Sequence, residues 1–319
     1  MYKLFRQSPP LQSGLMKTND GLHQIAFSLF GNPKGLPVIC LHGGPGAGTS
    51  PLMPRFFNPE RFYVLCFDQR GCGDSHPLSS LESNQTSQLL DDIWQLTRHL
   101  SFERFAIFGG SWGSTLAILF ALKHPDLIVG LVLRGLFLSS DDELQWLLGG
   151  GASALYPHAW ADFLRAAPVN TPTLDGVFSA YENALFGASD FAKKRAARGW
   201  NLWEYRLSVT RDRGFPNTEN ALAKEIATAQ IEHYYLSKRC FIDANAIISS
   251  LHQLSGLSAE LIHGENDHVC PVSIVETVKP FWPNLKVNVL PNVGHCAFVP
   301  AMTDALCAAT DRLASRFGH

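Results

Sequence analysis

Short apolar runs recur along the chain and alternate with longer segments whose apolar residues are spaced three or four positions apart. This alternation predicts a mostly parallel β-sheet that is covered by helices on both faces. We predict strands over residues 23–30, 37–41, 62–67, 104–108, 128–134, 259–263 and 286–290. The segment 86–100 has the apolar spacing of an amphipathic helix, and a final helix is predicted over 301–316.

The alternation stops between residues 138 and 250. That segment is rich in Trp, Tyr and Ala at helical spacing and contains no strand-like pattern. We therefore predict that 138–250 is a helical insertion over one end of the sheet. Residues 1–137 and 251–319 would then form a single α/β core, a division that suits a chain of 319 residues.

Composition narrows the class of protein. Hydrophobic residues make up 46% of the chain and charged residues 17%, which is enough apolar material for a large core. A net charge of -2 gives no electrostatic reason to expect nucleic acid or an anionic membrane as partner. We see no signal peptide and no apolar run of about 18 residues. The seven cysteines include no C-x-x-C pair, so we expect neither a disulfide framework nor a zinc site. We therefore expect a cytoplasmic location.

The segment GGSWG, residues 109–113, lies between a predicted strand and a predicted helix. G-x-S-x-G in this context predicts a sharp turn that presents Ser111 as a nucleophile. Gly109 and Gly113 would remove the side chains that crowd such a turn. The helix N-terminus would point N–H groups at a negative oxygen. The simpler interpretation is a glycine-rich turn with a capping serine.

A serine nucleophile needs a base, and the base needs an orienting acid. In this fold the partners follow the serine in the order acid, then histidine, on loops after late strands. Asp267 follows the strand 259–263, and His295 follows the strand 286–290. We predict that these two residues complete a triad with Ser111. Taken singly, either one is also typical of an ordinary loop residue, and His268 is the weaker candidate for the base because it adjoins Asp267.

The segment CLHGGPGAG, residues 40–48, follows another strand and lets the backbone approach a substrate closely. We predict that the N–H of Gly43 or Gly44, together with that of Trp112, stabilises an oxyanion. A phosphate-binding loop is the alternative, but the chain lacks both the P-loop Lys-Ser/Thr pair and G-x-G-x-x-G.

Four segments, LHGGPGAG, FDQRGCGDS, GGSWGSTLAI and GHCAF, together resemble the prolyl aminopeptidases, or proline iminopeptidases. The resemblance implies an α/β-hydrolase fold, with an eight-stranded type of sheet and a helical cap. It also implies serine-dependent release of N-terminal proline from small peptides with a free N-terminus, without a metal or a cofactor. The DQRG part is expected to be a turn held by its own Asp68–Arg70 pair.

The resemblance also assigns substrate-binding residues in the cap. It implies that Glu204 and Glu232 bind the substrate's amine and that Phe137 forms a wall of the proline pocket. On the sequence alone, the two glutamates would be ordinary surface residues. The chain differs from the family at several pocket positions, among them Leu147, Leu148 and Leu236, which leaves the strictness of the proline preference open.

Two rival functions remain at this point. An esterase, an amidase or a carbon–carbon hydrolase could carry the same triad under a different pocket. A non-catalytic receptor of the same fold would bind a small ligand under its cap. The sequence does not indicate an oligomeric state. Cys270 and Cys296 each lie within three residues of a predicted triad member, so bulky thiol reagents are expected to block the site.

Overall fold

The computed structural model describes residues 3–208 and 219–317. One sheet of eight strands runs through the molecule in the order β1-β2-β4-β3-β5-β6-β7-β8. The strands are β1 Gln12–Lys17, β2 Gln24–Gly31, β3 Leu36–Leu41, β4 Phe62–Phe67, β5 Phe105–Gly110, β6 Ile128–Arg134, β7 Ser258–Gly264 and β8 Lys286–Leu290. β1 and β2 are antiparallel to their neighbours, and the other pairs are parallel.

All seven predicted strands are present within two residues of their predicted bounds. β1 was not predicted. Along it only Met16 is buried, whereas Leu11 and Leu15 on and before the strand are more than half exposed. The hydrophobic alternation that reveals a half-buried strand is therefore missing from this edge of the sheet.

The parallel strands divide their side chains between two apolar cores. Leu131 and Leu133 of β6 belong to the core on one face, and Val132 belongs to the core on the other face. The helices α1 Thr86–His99, α2 Trp112–Lys123, α9 Ser273–Val278 and α10 Pro300–Phe317 cover these faces. α2 is buried along most of its length, because it packs against β5 and its neighbours. The carboxyl ends of the parallel strands consequently share one edge of the sheet.

The chain between β6 and β7 forms helices, and no strand occurs in the described part of 138–250. Residues 209–218 of that segment lie outside the described residues. The helices are α3 Asp141–Leu148, α4 Pro157–Ala166, α5 Leu174–Phe186, α6 Asp190–Ser208, α7 Glu219–Leu236 and α8 Ala244–Ser250. Ser140 and Glu143 form a capping box that starts α3 immediately after the sheet.

Stacked aromatic rings hold these helices, α3 to α8, together, and we refer to them as the cap helices. Phe163 of α4 stacks on Tyr181 of α5 with ring centroids 4.6 Å apart, and Trp200 of α6 meets Tyr181 edge-on. Within residues 3–208 and 219–317, none of the helices combines the length and the apolar character that crossing a bilayer would require.

Candidate active site

The turn between β5 and α2 holds Ser111 with a φ of 56°, in the left-handed region. A Cβ added at Gly109 would lie 2.2 Å from the carbonyl oxygen of Gly113. A Cβ at Gly113 would lie 2.1 Å from the carbonyl oxygen of Leu41. Both glycines are therefore required by close backbone contacts, and Ser111 has the strained geometry that a nucleophile turn imposes.

Ser111 lies where the first turn of α2 meets the ends of the neighbouring strands. Its N–H donates to the carbonyl oxygen of Arg134, at the end of β6, over 2.8 Å. Its Oγ is 3.9 Å from the Sγ of Cys270. The residue is 8% exposed, so it is buried at the end of the sheet.

Asp267 and His295 are in direct contact. Nδ1 of His295 donates to Oδ2 of Asp267 over 2.7 Å, and Oδ1 accepts the N–H groups of Val269 and Cys270. Burial alone would raise the pKa of Asp267, but the imidazole of His295 and the backbone donors bring it below the usual value. Asp267 is thus held as a carboxylate that orients the imidazole. His268, the weaker candidate for the base, instead meets the hydroxyl of Tyr156 over 2.8 Å.

The other ring nitrogen of His295 has a partner that the sequence did not reveal. Nη1 of Arg134 donates to Nε2 of His295 over 2.8 Å and to the carbonyl oxygen of the same residue over 2.9 Å. Within the described residues, Ser111 Oγ and His295 Nε2 are not hydrogen-bonded to each other. Burial lowers the pKa of His295 despite the opposing charge of Asp267, and Arg134 lowers it further. The imidazole is therefore neutral near pH 7, with Nε2 as the acceptor.

Gly110 and Gly135 make room for this arrangement. A Cβ at Gly110 would lie 2.6 Å from Nη2 of Arg134, and one at Gly135 would lie 3.0 Å from Cε1 of His295. Gly135 also has a φ of 54°, which L side chains rarely adopt. A charged residue at the end of the buried strand β6 is the one sequence signal that could have revealed Arg134.

The predicted oxyanion donors lie on both sides of Ser111. A Cβ at Gly43 would be 3.2 Å from the Cβ of Ser111, and Gly44, with a φ of 106°, follows at once. Trp112 is the first residue of α2, where an N–H has no partner inside the helix. The turn therefore brings the backbone of Gly43 and the N–H end of α2 to the same hydroxyl.

Gln69 braces this loop against the helix, a role that no pattern in the sequence indicates. Its side-chain N–H group donates to the carbonyl oxygen of His42, and its side-chain oxygen accepts the indole N–H of Trp112 over 3.0 Å. Its backbone N–H donates to Nε2 of His42. One buried amide thus fixes the loop on one side of Ser111 relative to the helix on the other.

The expected Asp68–Arg70 pair within DQRG is wrong. Asp68 accepts the backbone N–H groups of Thr49 and Asp74 and so closes its own turn. Arg70 instead forms a bidentate pair with Asp92 of α1 and a third contact with Asp20. Each of the two side chains is therefore held by partners outside the DQRG segment, and of the two only Asp68 closes the turn.

Glu204 of α6 and Glu232 of α7 are paired. Their carboxyl groups share a hydrogen bond, and Oε2 of Glu232 also accepts the indole N–H of Trp200 over 2.8 Å. Glu232 is 1% exposed, whereas Glu204 is partly exposed. Burial and the neighbouring Glu204 raise the pKa of Glu232 well above its usual range, and burial raises that of Glu204. The pair therefore retains a proton in the unliganded protein.

Contacts of α7 bring this acidic pair close to the serine turn. The side chain of Ile231, next to Glu232, lies 2.9 Å from where a Cβ of Gly46 would be. Tyr235 meets the indole of Trp112 with ring centroids 5.5 Å apart. α7 is thus packed on both the glycine-rich loop and the helix that begins after Ser111.

Phe137 lies in the loop that leaves β6, three residues after Arg134. It is 4% exposed, and its carbonyl oxygen accepts the hydroxyl of Thr115 in α2. The backbone of this residue is therefore attached to the first turn of α2.

Asp267, Cys270 and His295 also form a set of potential metal donors, with ligand atoms within 4.8 Å of one another. The donor atoms of Asp267 and His295 are engaged with each other, and Oδ1 of Asp267 accepts two backbone N–H groups. Burial raises the pKa of the Cys270 thiol well above its usual range, so this group holds its proton rather than binding as a thiolate. The donor set suits proton transfer better than metal binding.

Known proteins similar to this chain agree with the geometry. A sequence profile describing the α/β hydrolase fold matches residues 37–301. A proline iminopeptidase of Xanthomonas citri is 37% identical over 317 residues, covering 98% of this chain and 100% of that protein. The proline iminopeptidase of Arabidopsis thaliana is 36% identical and covers 99% of this chain and 83% of that protein.

Solved structures show the same fold at lower identity. A proline iminopeptidase of Mycobacterium smegmatis superposes with a TM-score of 0.64 at 19% identity, covering 96% of this chain and 99% of that one. An esterase from a Rhodococcus species does so with a TM-score of 0.60 at 17% identity, covering 95% and 98%. The fold is thus common to different hydrolases, whereas the two relatives found by sequence are both proline iminopeptidases. The chain belongs to the proline iminopeptidase family of the α/β-hydrolase fold.

Proposed function

We propose that this protein is a serine aminopeptidase that releases N-terminal proline from peptides through an acyl-enzyme. The observation that carries the proposal is the coexistence of two buried acidic centres, one beside a histidine near Ser111 and one in the helices above it. The first suits acyl transfer, and the second suits a substrate with a positive charge. The full-length relatives named above carry the corresponding activity in their names.

In the acylation step, His295 removes the proton from the Ser111 hydroxyl as its oxygen attacks the carbonyl carbon of the N-terminal residue. The carbonyl π electrons move onto oxygen, and the N–H groups of Gly43 or Gly44 and of Trp112 stabilise that charge. Collapse of the intermediate breaks the peptide bond, and the imidazolium gives its proton to the leaving amine.

Deacylation repeats the sequence with water as nucleophile. His295 takes a proton from water, the hydroxyl adds to the ester carbon, and the Ser111 oxygen leaves with the proton returned by the imidazolium. Asp267 holds the ring in the tautomer with Nε2 unprotonated and stabilises the imidazolium formed in both steps.

Arg134 has to give up its contact with Nε2 of His295 before this nitrogen can accept a proton from Ser111. Its Nη1 donates both to Nε2 and to the backbone carbonyl oxygen of His295. Substrate entry would displace the first of these two hydrogen bonds while the second keeps Arg134 in place.

The acidic pair would select the free amine. An ammonium group between Glu204 and Glu232 replaces their shared proton, so both carboxylates become ionised and paired. A blocked N-terminus cannot supply that charge. Anchoring the free amine in this way would restrict cleavage to the N-terminal residue, and we assign Phe137 to the wall of the proline pocket.

The domain division fits this proposal: residues 138–250 form a cap that binds the amine of the substrate, and the remainder forms the catalytic core. All seven cysteines are free, which suits the reducing cytoplasm.

Covalent labelling of Ser111 tests the catalytic role. A fluorophosphonate probe should label the wild-type protein, and Ser111→Ala should abolish labelling and lower kcat by at least about 1,000-fold while the melting temperature stays near wild type. The same preparation, assayed on prolyl amides, alanyl amides and acyl esters, separates the aminopeptidase from an esterase. Retained turnover in Ser111→Ala would contradict the proposal, and so would cleavage of the acyl esters without cleavage of the prolyl amides.

A further inference from the structure

His263 of β7 is a second imidazole close to the Asp267 carboxylate. It is fully buried, and its Nε2 lies 3.8 Å from Oδ2 of Asp267, the oxygen that accepts the bond from His295. The same Nε2 is 2.8 Å from the carbonyl oxygen of Cys270. No step of the proposed mechanism uses this residue.

The contacts fix its protonation state. A carbonyl oxygen only accepts hydrogen bonds, so Nε2 of His263 carries the proton and donates it to Cys270. Nδ1 is buried and has no hydrogen-bond partner among the described residues, so it is an unprotonated acceptor. Burial lowers the pKa of this imidazole despite the nearby charge of Asp267, which agrees with a neutral ring.

The bond to Cys270 closes a short turn whose other end is Asp267. Oδ1 of Asp267 accepts the N–H of Val269 over 3.0 Å and that of Cys270 over 2.8 Å. The carbonyl oxygen of Cys270 accepts the N–H of His263, and this bond attaches the turn to β7. The turn is therefore tied at both ends, and the position of the carboxylate depends on both attachments.

Charge explains why a neutral donor suits this place. The groups that face His263 are the carboxylate of Asp267, the guanidinium of Arg134, the imidazole of His295 and the backbone carbonyl oxygen of Cys270. A cationic side chain at 263 would pair with Asp267 and compete with His295 for it. An apolar side chain would leave the Cys270 carbonyl without its donor.

We infer that His263 is a positioning residue, whose Nε2–H fixes the Asp267–Cys270 turn and so holds the Asp267 carboxylate on Nδ1 of His295. The inference rests on the proposed roles of Asp267 and His295. It adds a fourth residue to the relay, one that acts through the acid and does not touch substrate.

The test compares His263→Gln, whose amide N–H can reach the position of Nε2, with His263→Asn and His263→Leu, which cannot place a donor there. The readouts are kcat and KM on a prolyl amide, and the downfield proton resonance of the Nδ1–H that His295 shares with Asp267. We expect kcat to fall about tenfold in the Asn and Leu variants, with little change in KM. Their resonance should move upfield or disappear. The Gln variant should retain both wild-type properties.

His23 offers a matched control. It is 1% exposed, its Nε2 is 2.7 Å from the carbonyl oxygen of Glu82, and its Nδ1 is also without a partner among the described residues. His23→Leu removes an equivalent buried bond to a carbonyl oxygen, that of Glu82, which belongs to neither the Asp267–Cys270 turn nor the relay. It should lower the melting temperature while leaving kcat and the resonance unchanged.

Two results would overturn the inference. One is equal kcat and an equal resonance in the Gln and Asn variants. The other is a loss of kcat in His23→Leu that matches the loss in His263→Leu. Asp267→Asn separates this failure from a failure of the proposed relay, because full activity in that variant would show that the acid itself is not needed.

Discussion

The site contains two buried carboxyl groups whose environments drive their pKa values in opposite directions. Asp267 accepts a bond from His295 and two backbone N–H groups, and its pKa lies below the usual value. Glu232 faces a second carboxyl group and a single indole N–H, and its pKa lies well above the usual range. Nearly equal burial thus gives a permanent carboxylate in the core and a shared proton in the cap.

The proposed mechanism assigns the two acids different tasks. The core acid has to stay ionised through the whole cycle, so its partners are supplied by the protein itself. The cap pair lacks a cationic partner in the described structure, which is the arrangement expected if the missing charge arrives with the substrate.

Removing the core charge should produce the largest effect on activity. In Asp267→Asn, the imidazole loses its orienting carboxylate and adopts the wrong tautomer, so kcat should fall by about 1,000- to 10,000-fold. KM should change little, because the cap pair is intact. Steady-state kinetics on a prolyl amide measures both. A large rise in KM with unchanged kcat would mean that Asp267 binds substrate instead.

Removing one cap charge should cost less and should act on binding. Glu204→Gln or Glu232→Gln leaves the substrate ammonium with one carboxylate, so kcat/KM should fall by roughly 100-fold. Fluorophosphonate labelling of Ser111 should stay at the wild-type rate, because the probe carries no amine. If labelling falls together with kcat/KM, the glutamates support the fold of the site rather than the amine.

The pH profile should distinguish the two centres. For the free enzyme to bind and react, His295 and the cap pair must both be unprotonated. Burial lowers the pKa of His295, whereas burial and Glu204 raise that of Glu232, and on the proposed function we expect the cap pair to set the acid limb of kcat/KM. In the double variant Glu204→Gln/Glu232→Gln, the limb should move to lower pH, toward the titration of His295. An unmoved limb would contradict this assignment.

The cysteines near the site should matter least. Cys270 is buried and its pKa is raised, so its thiol is a poor nucleophile, whereas Cys296 is partly exposed and accessible to reagents. The double variant Cys270→Ala/Cys296→Ala should keep kcat within about threefold of wild type. It should also lose inhibition by bulky maleimides, which act by filling the site. Persistent inhibition of the double variant would refute that explanation.

The core part of the site could be predicted from the sequence, because the pattern of apolar residues shows where each strand ends. Ser111, Asp267 and His295 each follow an apolar run, and a parallel sheet brings such ends together at one edge. The glycines on either side of Ser111 could be predicted as well, because a Cβ at Gly109 or at Gly113 would lie within 2.2 Å of a backbone carbonyl oxygen.

The rest depends on side-chain reach, which periodicity does not encode. Arg134 is hydrogen-bonded to a histidine 161 residues away in the chain. Arg70 pairs with Asp92 and Asp20, although Asp68 is only two residues away in the sequence. The pairing of the cap glutamates was accessible only through family resemblance, because a helix pattern does not show which neighbour a face will meet.

The most direct test of the account compares L-prolyl 4-nitroanilide with its N-acetyl derivative at neutral pH. The acetyl group removes the positive charge and leaves the scissile bond unchanged, so the cap acids would face a substrate without a partner for them. We predict that kcat/KM falls by at least about 1,000-fold for the blocked compound. Equal rates on the two compounds would contradict the claim that the cap acids select a free N-terminus.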